Sequence, residues 1–343
     1  MDMSRQQRAV IFPPAPAWSE PKEGLELLDT KKTCLGIGRS DGFHFPQWRD
    51  NDPLRTVFFD EGRGFPIVFV HGLGANATHW EHLVDGLVGK YRVLGLDMAG
   101  CGWNLKPRME YTVDFLTDHL VDFLDRRGIR KCVLVGHSLG GMICLGATLR
   151  QPERVQALGL VGAAGVAPLP KWMKIAGSLF LSEEILFKTL SLGAEFILKN
   201  VFVERPEKNP HVEAFYKSSM RDAPGYPNLR DFARVCASLC RDVVGRDFSG
   251  RLHELDVPVL GLWGDADKLT PIPSILKNLG KIPRVRTVIL KGCGHMPMVE
   301  KPFETLYHVQ RFLQTPPAVA SRPSSQERPS ALFRKQVKRI LHS

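Results

Sequence analysis

The sequence predicts an α/β protein: a mostly parallel central sheet with helices on both faces and a helical insertion between two of its strands. Short apolar runs recur along the chain and stop at a glycine or an aspartate, as strands buried on both faces do. Helical patterns separate them. The alternation breaks once, between Val166 and Gly250, where the pattern stays helical.

Residues 1–50 are rich in proline, glycine and charge, and form an irregular extension with one expected strand near Thr33–Ile37. Arg55–Phe59 reads as a strand, Glu61–Gly64 as a turn, and Pro66–Val70 as a buried strand ending at His71-Gly72. Tyr91–Leu96 stops at Asp97, Cys132–Val135 at Gly136, Ala157–Val161 at Gly162 and Val257–Trp263 at Gly264; Arg286–Leu290 runs out at Gly292. Val113–Arg126 carries apolar residues at 113, 116, 120, 123 and 124, the spacing of one helix face. Met142–Arg150 reads as a helix halted by Pro152, and Pro302–Phe312 as the closing helix. The chain therefore divides into an extension (1–50), a first core part (51–165), a helical cap insertion (166–250), a second core part (251–315) and a basic tail (316–343). Aromatic and aliphatic density in the insertion, as at Trp172, Phe180, Phe187 and Phe196, suits helix packing. A cap over the carboxyl ends of the strands would also wall a ligand crevice.

The balance of 43% hydrophobic and 24% charged residues over 343 residues is that of a folded chain with a sizeable core. Met1–Trp18 lacks the apolar run of a secretory signal, so cytoplasmic residence is the expectation. Seven scattered cysteines form no disulfide framework and read as reduced thiols. Cys236 and Cys240 sit at helical spacing without neighbouring histidines, so neither a metal nor another cofactor is expected. Half of the formal net charge of +10 lies in the tail, where Arg322, Arg328, Arg334, Lys335, Lys338 and Arg339 face only Glu327. No aromatic-interleaved basic stripe accompanies it, which argues against a nucleic-acid partner. Leu332, Phe333, Val337, Ile340 and Leu341 recur at helical spacing between those charges. Two readings of the tail stay open: a frayed, solvated terminus, or a basic amphipathic helix making weak contact with an anionic membrane surface.

Chemistry concentrates in four loops. Gly136-His137-Ser138-Leu139-Gly140 is a G-x-S-x-G pattern, which arises by chance in about one chain in ten of this length and needs context. A buried strand runs into it and a helix runs out, the setting that forces a serine onto a tight turn at a helix N-terminus. Upstream, Val70-His71-Gly72-Leu73-Gly74 forms a glycine-bounded loop. A tetrahedral oxyanion needs two preorganised N–H donors, and the amides of Leu73 and Leu139 are the natural pair. His71, directly at a strand end, reads as a residue that shapes this loop. The serine needs a base, and His295, in Gly292-Cys293-Gly294-His295-Met296-Pro297, is the histidine in a glycine loop past the last strand. His79, His82, His119 and His137 read as surface or packing residues. The carboxylate that orients the base comes from Gly264-Asp265-Ala266-Asp267, where both aspartates qualify on position alone.

The order Ser138, Asp267, His295, with the glycine loop upstream, resembles the α/β-hydrolase family over Leu54–Leu313. The family's Gly-x-x-Asp-x-x-x-Pro pattern matches Gly264, Asp267 and Pro271, so the resemblance places the catalytic acid on Asp267, with Asp265 second. The family's closing pattern matches Gly294, His295, Glu300 and Pro302. Where relatives commonly read Asp-x-Pro-Gly-His-Gly-x-Ser, this chain has Asp97-Met98-Ala99-Gly100-Cys101-Gly102-Trp103-Asn104. The expected activity is hydrolysis of a small, apolar carboxylic ester through an acyl-enzyme on Ser138. Resembling enzymes also cleave carbon–carbon bonds of dienone acids with the same triad and cap; some carry Asn before the serine, where this chain has His137. A non-catalytic ligand receptor is the third reading, and the filled triad positions weigh against it.

Overall fold

The computed structural model describes residues 56–169, 182–188, 201–203, 206–222 and 229–315. The strand expected near Thr33–Ile37, the whole of the extension, parts of the expected insertion including Trp172, Phe180 and Phe196, and the basic tail lie outside the described residues.

Among the described residues seven strands form one sheet in the order β1-β3-β2-β4-β5-β6-β7. They are β1 (Phe58–Gly62), β2 (Phe65–Val70), β3 (Tyr91–Leu96), β4 (Cys132–His137), β5 (Val155–Val161), β6 (Val259–Gly264) and β7 (Val285–Leu290). All neighbours are parallel except β1, which runs antiparallel to β3. The helices are α1 (Glu81–Asp85), α2 (Val113–Arg126), α3 (Leu139–Arg150), α4 (Pro210–Asp222), α5 (Leu229–Gly245), α6 (Ile272–Leu279), α7 (Pro297–Glu300) and α8 (Pro302–Gln314). A further helical turn covers 183–188.

The period-two alternation of β2 explains the layers. Ile67 and Phe69 point to one face, where they pack with Leu83 and Val84 of α1 and with Val309, Phe312 and Leu313 of α8. Val68 and Val70 point to the other, onto a core shared with the apolar stripe of α2, with α3 and with α6. α2 has the bounds its spacing predicts, and Thr112 caps it by accepting the Phe115 N–H at 3.1 Å.

One strand departs from expectation. β1 starts at Phe58 rather than Arg55 and runs through Glu61-Gly62, which the sequence assigns to a turn. Its polar residues fit because it is an edge strand: Asp60 accepts two hydrogen bonds from Arg92, at 2.8 and 2.6 Å, and a further one from Arg127. β3 intervenes between β1 and β2 although only Arg63 and Gly64 link them. Three Cα steps reach about 10 Å, enough to pass two interstrand spacings of about 4.8 Å.

Between β5 and β6, α4 and α5 belong to the stretch expected as an insertion. Ser238 on α5 both accepts the Tyr111 N–H (2.8 Å) and donates to the Tyr111 carbonyl (3.0 Å), and Asp242 accepts the Val113 N–H at 2.7 Å. The Val201 carbonyl accepts the His295 N–H at 3.2 Å. The described parts of this segment thus touch the loops that leave the carboxyl ends of β3 and β7. Among the described residues no helix is long and apolar enough to cross a membrane.

Candidate active site

Ser138 sits between β4 and α3 with φ 50° and ψ −118°, the one non-glycine among the described residues with positive φ. Such a conformation costs about 1–3 kcal/mol and persists only where the surroundings enforce it. Here they do. The Ser138 N–H donates to the Val161 carbonyl at 3.1 Å, and its carbonyl accepts the Ala164 N–H at 2.9 Å. A Cβ on Gly136 would lie 2.4 Å from the Gly140 carbonyl oxygen, and one on Gly140 would lie 2.3 Å from that of Val70. Both glycines are therefore required by close backbone approach. Leu139 is the first residue of α3, where N–H groups have no partner within the helix.

The Leu73 loop reaches this corner: a Cβ on Gly72 would stand 3.1 Å from Ser138 Cβ. His71 is fully buried and joins two loops through both ring nitrogens. Nδ1–H donates to the Gly72 carbonyl at 2.8 Å and Nε2 accepts the Met98 N–H at 3.0 Å. Burial lowers its pKa to about 4, against a smaller opposite effect of the Gly72 carbonyl, so the ring is neutral and shapes the backbone as expected. Asp97 completes the brace, accepting the N–H groups of Ala77 (2.7 Å) and Trp103 (2.9 Å). Burial pushes its carboxyl up to about 7, opposed by those amides and by the charge of Lys106. Gly102 is needed beside it, since a Cβ there would fall 2.0 Å from Asp97 Oδ2.

Asp267 and His295 meet: Nδ1 of the imidazole lies 2.9 Å from Oδ2 of the carboxylate, both residues being buried. Oδ2 also accepts from the Thr270 hydroxyl at 2.6 Å, and Oδ1 accepts the N–H groups of Leu269 (2.8 Å) and Thr270 (3.0 Å). Burial would raise the Asp267 pKa, but these bonds, with that to His295 the foremost, hold it below the ordinary carboxyl value. The Thr270 oxygen is itself set by the indole N–H of Trp263, at 2.9 Å. Asp265 faces elsewhere, accepting the Cys293 N–H at 3.4 Å and standing 3.6 Å from Lys291 Nζ. Of the two aspartates left open by position, Asp267 is the one that reaches His295.

The serine and histidine loops are held together by His137. Its Nε2–H donates to the His295 carbonyl at 2.9 Å, and the two rings lie 4.8 Å apart. A Cβ on Gly162, one residue beyond the acceptor of the Ser138 amide, would stand 3.4 Å from His295 Nδ1 and 3.5 Å from Asp267 Oδ2. Ser138, Asp267, His295 and the Leu73 loop thus gather at one corner of the sheet, beyond the carboxyl ends of β2, β4, β5, β6 and β7. The bracing by His137, Thr270, Trp263 and Glu300 has no signature in spacing; the one trace is the Gly-His and Glu-Pro pattern that contains Glu300.

This packing predicts the effect of Gly264→Ala. A Cβ there would lie 2.2 Å from the carbonyl oxygens of both Cys293 and Gly294, so the His295 loop must move. The variant should lose about 2–3 kcal/mol of stability, read as a lower urea midpoint at unchanged m-value.

Comparison with known proteins agrees with this architecture. A family model described as the alpha/beta hydrolase fold matches residues 66–302. The chain is 30% identical over 266 residues to a 2-hydroxymuconate semialdehyde hydrolase from Pseudomonas sp. (strain CF600), covering 76% of this chain and 88% of that one. It is 27% identical to a pimeloyl-[acyl-carrier protein] methyl ester esterase from Aliivibrio salmonicida (strain LFI1238), covering 74% and 94%. A solved structure described as a bacterial membrane phospholipase A aligns with TM-score 0.62 at 28% identity, over 79% of this chain and 84% of that one. The chain belongs to the alpha/beta hydrolase fold family and is a hydrolase.

Proposed function

We propose that the protein is a serine hydrolase that cleaves a small, apolar carboxylic ester through an acyl-enzyme intermediate. The observation that carries this reading is the positive-φ Ser138 at a strand–helix junction beside a buried Asp267–His295 pair joined at 2.9 Å. His295 Nε2 takes the Ser138 Oγ proton as Oγ bonds to the ester carbonyl carbon. The electron pair moves onto the carbonyl oxygen, which the Leu73 and Leu139 amides stabilise; one such donor contributes about 3 kcal/mol in the transition state. Collapse expels the alcohol, which receives the proton from His295. Water then attacks the acyl-enzyme by the same path, releasing the acid and restoring Ser138. Asp267 keeps the proton on Nδ1 and balances the imidazolium. In this reading the 166–250 insertion is the cap over the substrate.

The esterase and phospholipase descriptions of similar proteins support an ester, and the 30%-identical hydrolase of a ring-fission semialdehyde supports the second reading, carbon–carbon cleavage. His137 in place of Asn before the serine favours the first. A panel of p-nitrophenyl esters of increasing acyl length, run beside a ring-fission dienoate, separates them. We expect kcat/KM for the best ester to exceed that for the dienoate by at least about 100-fold, as 2.7 kcal/mol of differential transition-state binding would give. The reverse order would replace the ester by the dienone acid.

A further inference from the structure

Glu300 ends the single turn α7 and is 5% exposed. Among the described residues no lysine or arginine forms an ion pair with it, and a buried carboxylate without a cation is costly to keep. Its hydrogen bonds show what it holds instead. Oε1 accepts the N–H groups of Gly294 (2.9 Å) and Met296 (3.4 Å), the residues on either side of His295. Oε2 accepts the Val203 N–H at 3.0 Å, from the segment between β5 and β6. The Glu300 carbonyl accepts the side-chain amide of Asn209 at 3.0 Å, whose oxygen in turn accepts the N–H groups of His211 and Val212 at the start of α4. In the same place the His295 N–H donates to Val201, and a Cβ on Gly294 would lie 2.7 Å from the Val201 carbonyl oxygen and 2.9 Å from Glu300 Oε1. Phe202 between them is buried and meets Phe215 of α4 edge-on, the centroids 5.6 Å apart.

We propose that Glu300 is a positioning residue: its one carboxylate fastens the His295 loop to the 201–203 segment of the insertion, so that the placement of the general base depends on the docking of that segment. This rests on the reading of His295 as the base. A carboxylate suits the task because it has only acceptors, and all three groups facing it are N–H donors. Glutamine keeps the volume but turns an NH2 towards one side, so either Val203 or the Gly294–Met296 pair loses its acceptor.

The test is a double-mutant cycle with Glu300→Gln and Val203→Pro, the second removing the insertion's N–H while leaving the carboxylate in place. Each single variant should lower kcat by about 100-fold, the loss expected from a displacement of about 1 Å at the reacting groups, with KM changed less than about threefold. The double variant should be no slower than the slower single one, because both break the same link. Amide hydrogen exchange should quicken together at 201–203 and 293–296 in either variant. Additive losses in kcat, or lower stability with kcat unchanged, would overturn the proposal. If Glu300→Gln does not fold, Val203→Pro alone decides: full kcat sinks the link and a KM-independent loss sustains it. His295→Ala separates this from the parent reading, since turnover that survives it removes the base, whereas a His295-dependent enzyme indifferent to Glu300→Gln loses only the positioning role.

Discussion

Ser138→Ala is expected to lower ester turnover by on the order of 10⁴ to 10⁶ while leaving fold and substrate affinity intact. The substitution removes only the oxygen. The amide and carbonyl of residue 138 keep their bonds to Val161 and Ala164, and the flanking glycines that set the turn are unchanged. Alanine must take the same positive φ, with no larger side chain to add strain. Any activity left reflects binding and the oxyanion donors. A fluorophosphonate should label the wild type at Ser138 and fail to label the variant, and thermal melting should shift by no more than a few degrees. Turnover near the wild-type rate would remove Ser138 as the nucleophile and, with it, the acyl-enzyme.

The second large effect is expected for Asp267→Asn, a fall in kcat of about 10⁴-fold from a change that conserves shape. The hydrogen-bond pattern dictates how asparagine must lie. On one side stand the Leu269 and Thr270 amides, which only donate, so they claim the asparagine carbonyl. The NH2 then faces His295 Nδ1, which must become an acceptor. The neutral ring carries its proton on Nε2, the nitrogen that has to take the serine proton. Stability should respond to pH as well. The folded-state pKa of Asp267 is held below the ordinary carboxyl value, so its contribution is present above that value and lost as pH falls through the folded pKa. Melting temperature followed into acid should fall less for Asp267→Asn, which has no carboxylate to protonate. Equal acid sensitivity in the two proteins would contradict this account.

Most of the framework is legible in sequence because its signals are local. A strand buried on both faces is an unbroken apolar run, and β3 and α2 have the bounds that their runs predict. The serine turn is legible because its strand, its glycines and its helix follow one another in sequence; Gly136 answers to Gly140 within that unit, although Gly140 answers to Val70 of the neighbouring β2. β1 is less so: an edge strand tolerates Asp60, Glu61 and Gly62, and nothing nearby in sequence announces that it pairs with β3.

By itself the sequence determined the alternation of strands and helices, and Ser138 and His295 as the groups to watch. Position alone left Asp265 and Asp267 open and the family pattern favoured Asp267, which the structure joins to the imidazole. Tertiary structure alone decided that His71 binds two backbone loops and that His137, Thr270 and Glu300 brace the site. The physical reason is the range of the contacts. Periodicity is written within a few residues, whereas the bonds from Asp267 to His295, from His137 to His295 and from Glu300 to Val203 join segments that only the closing of the sheet brings together.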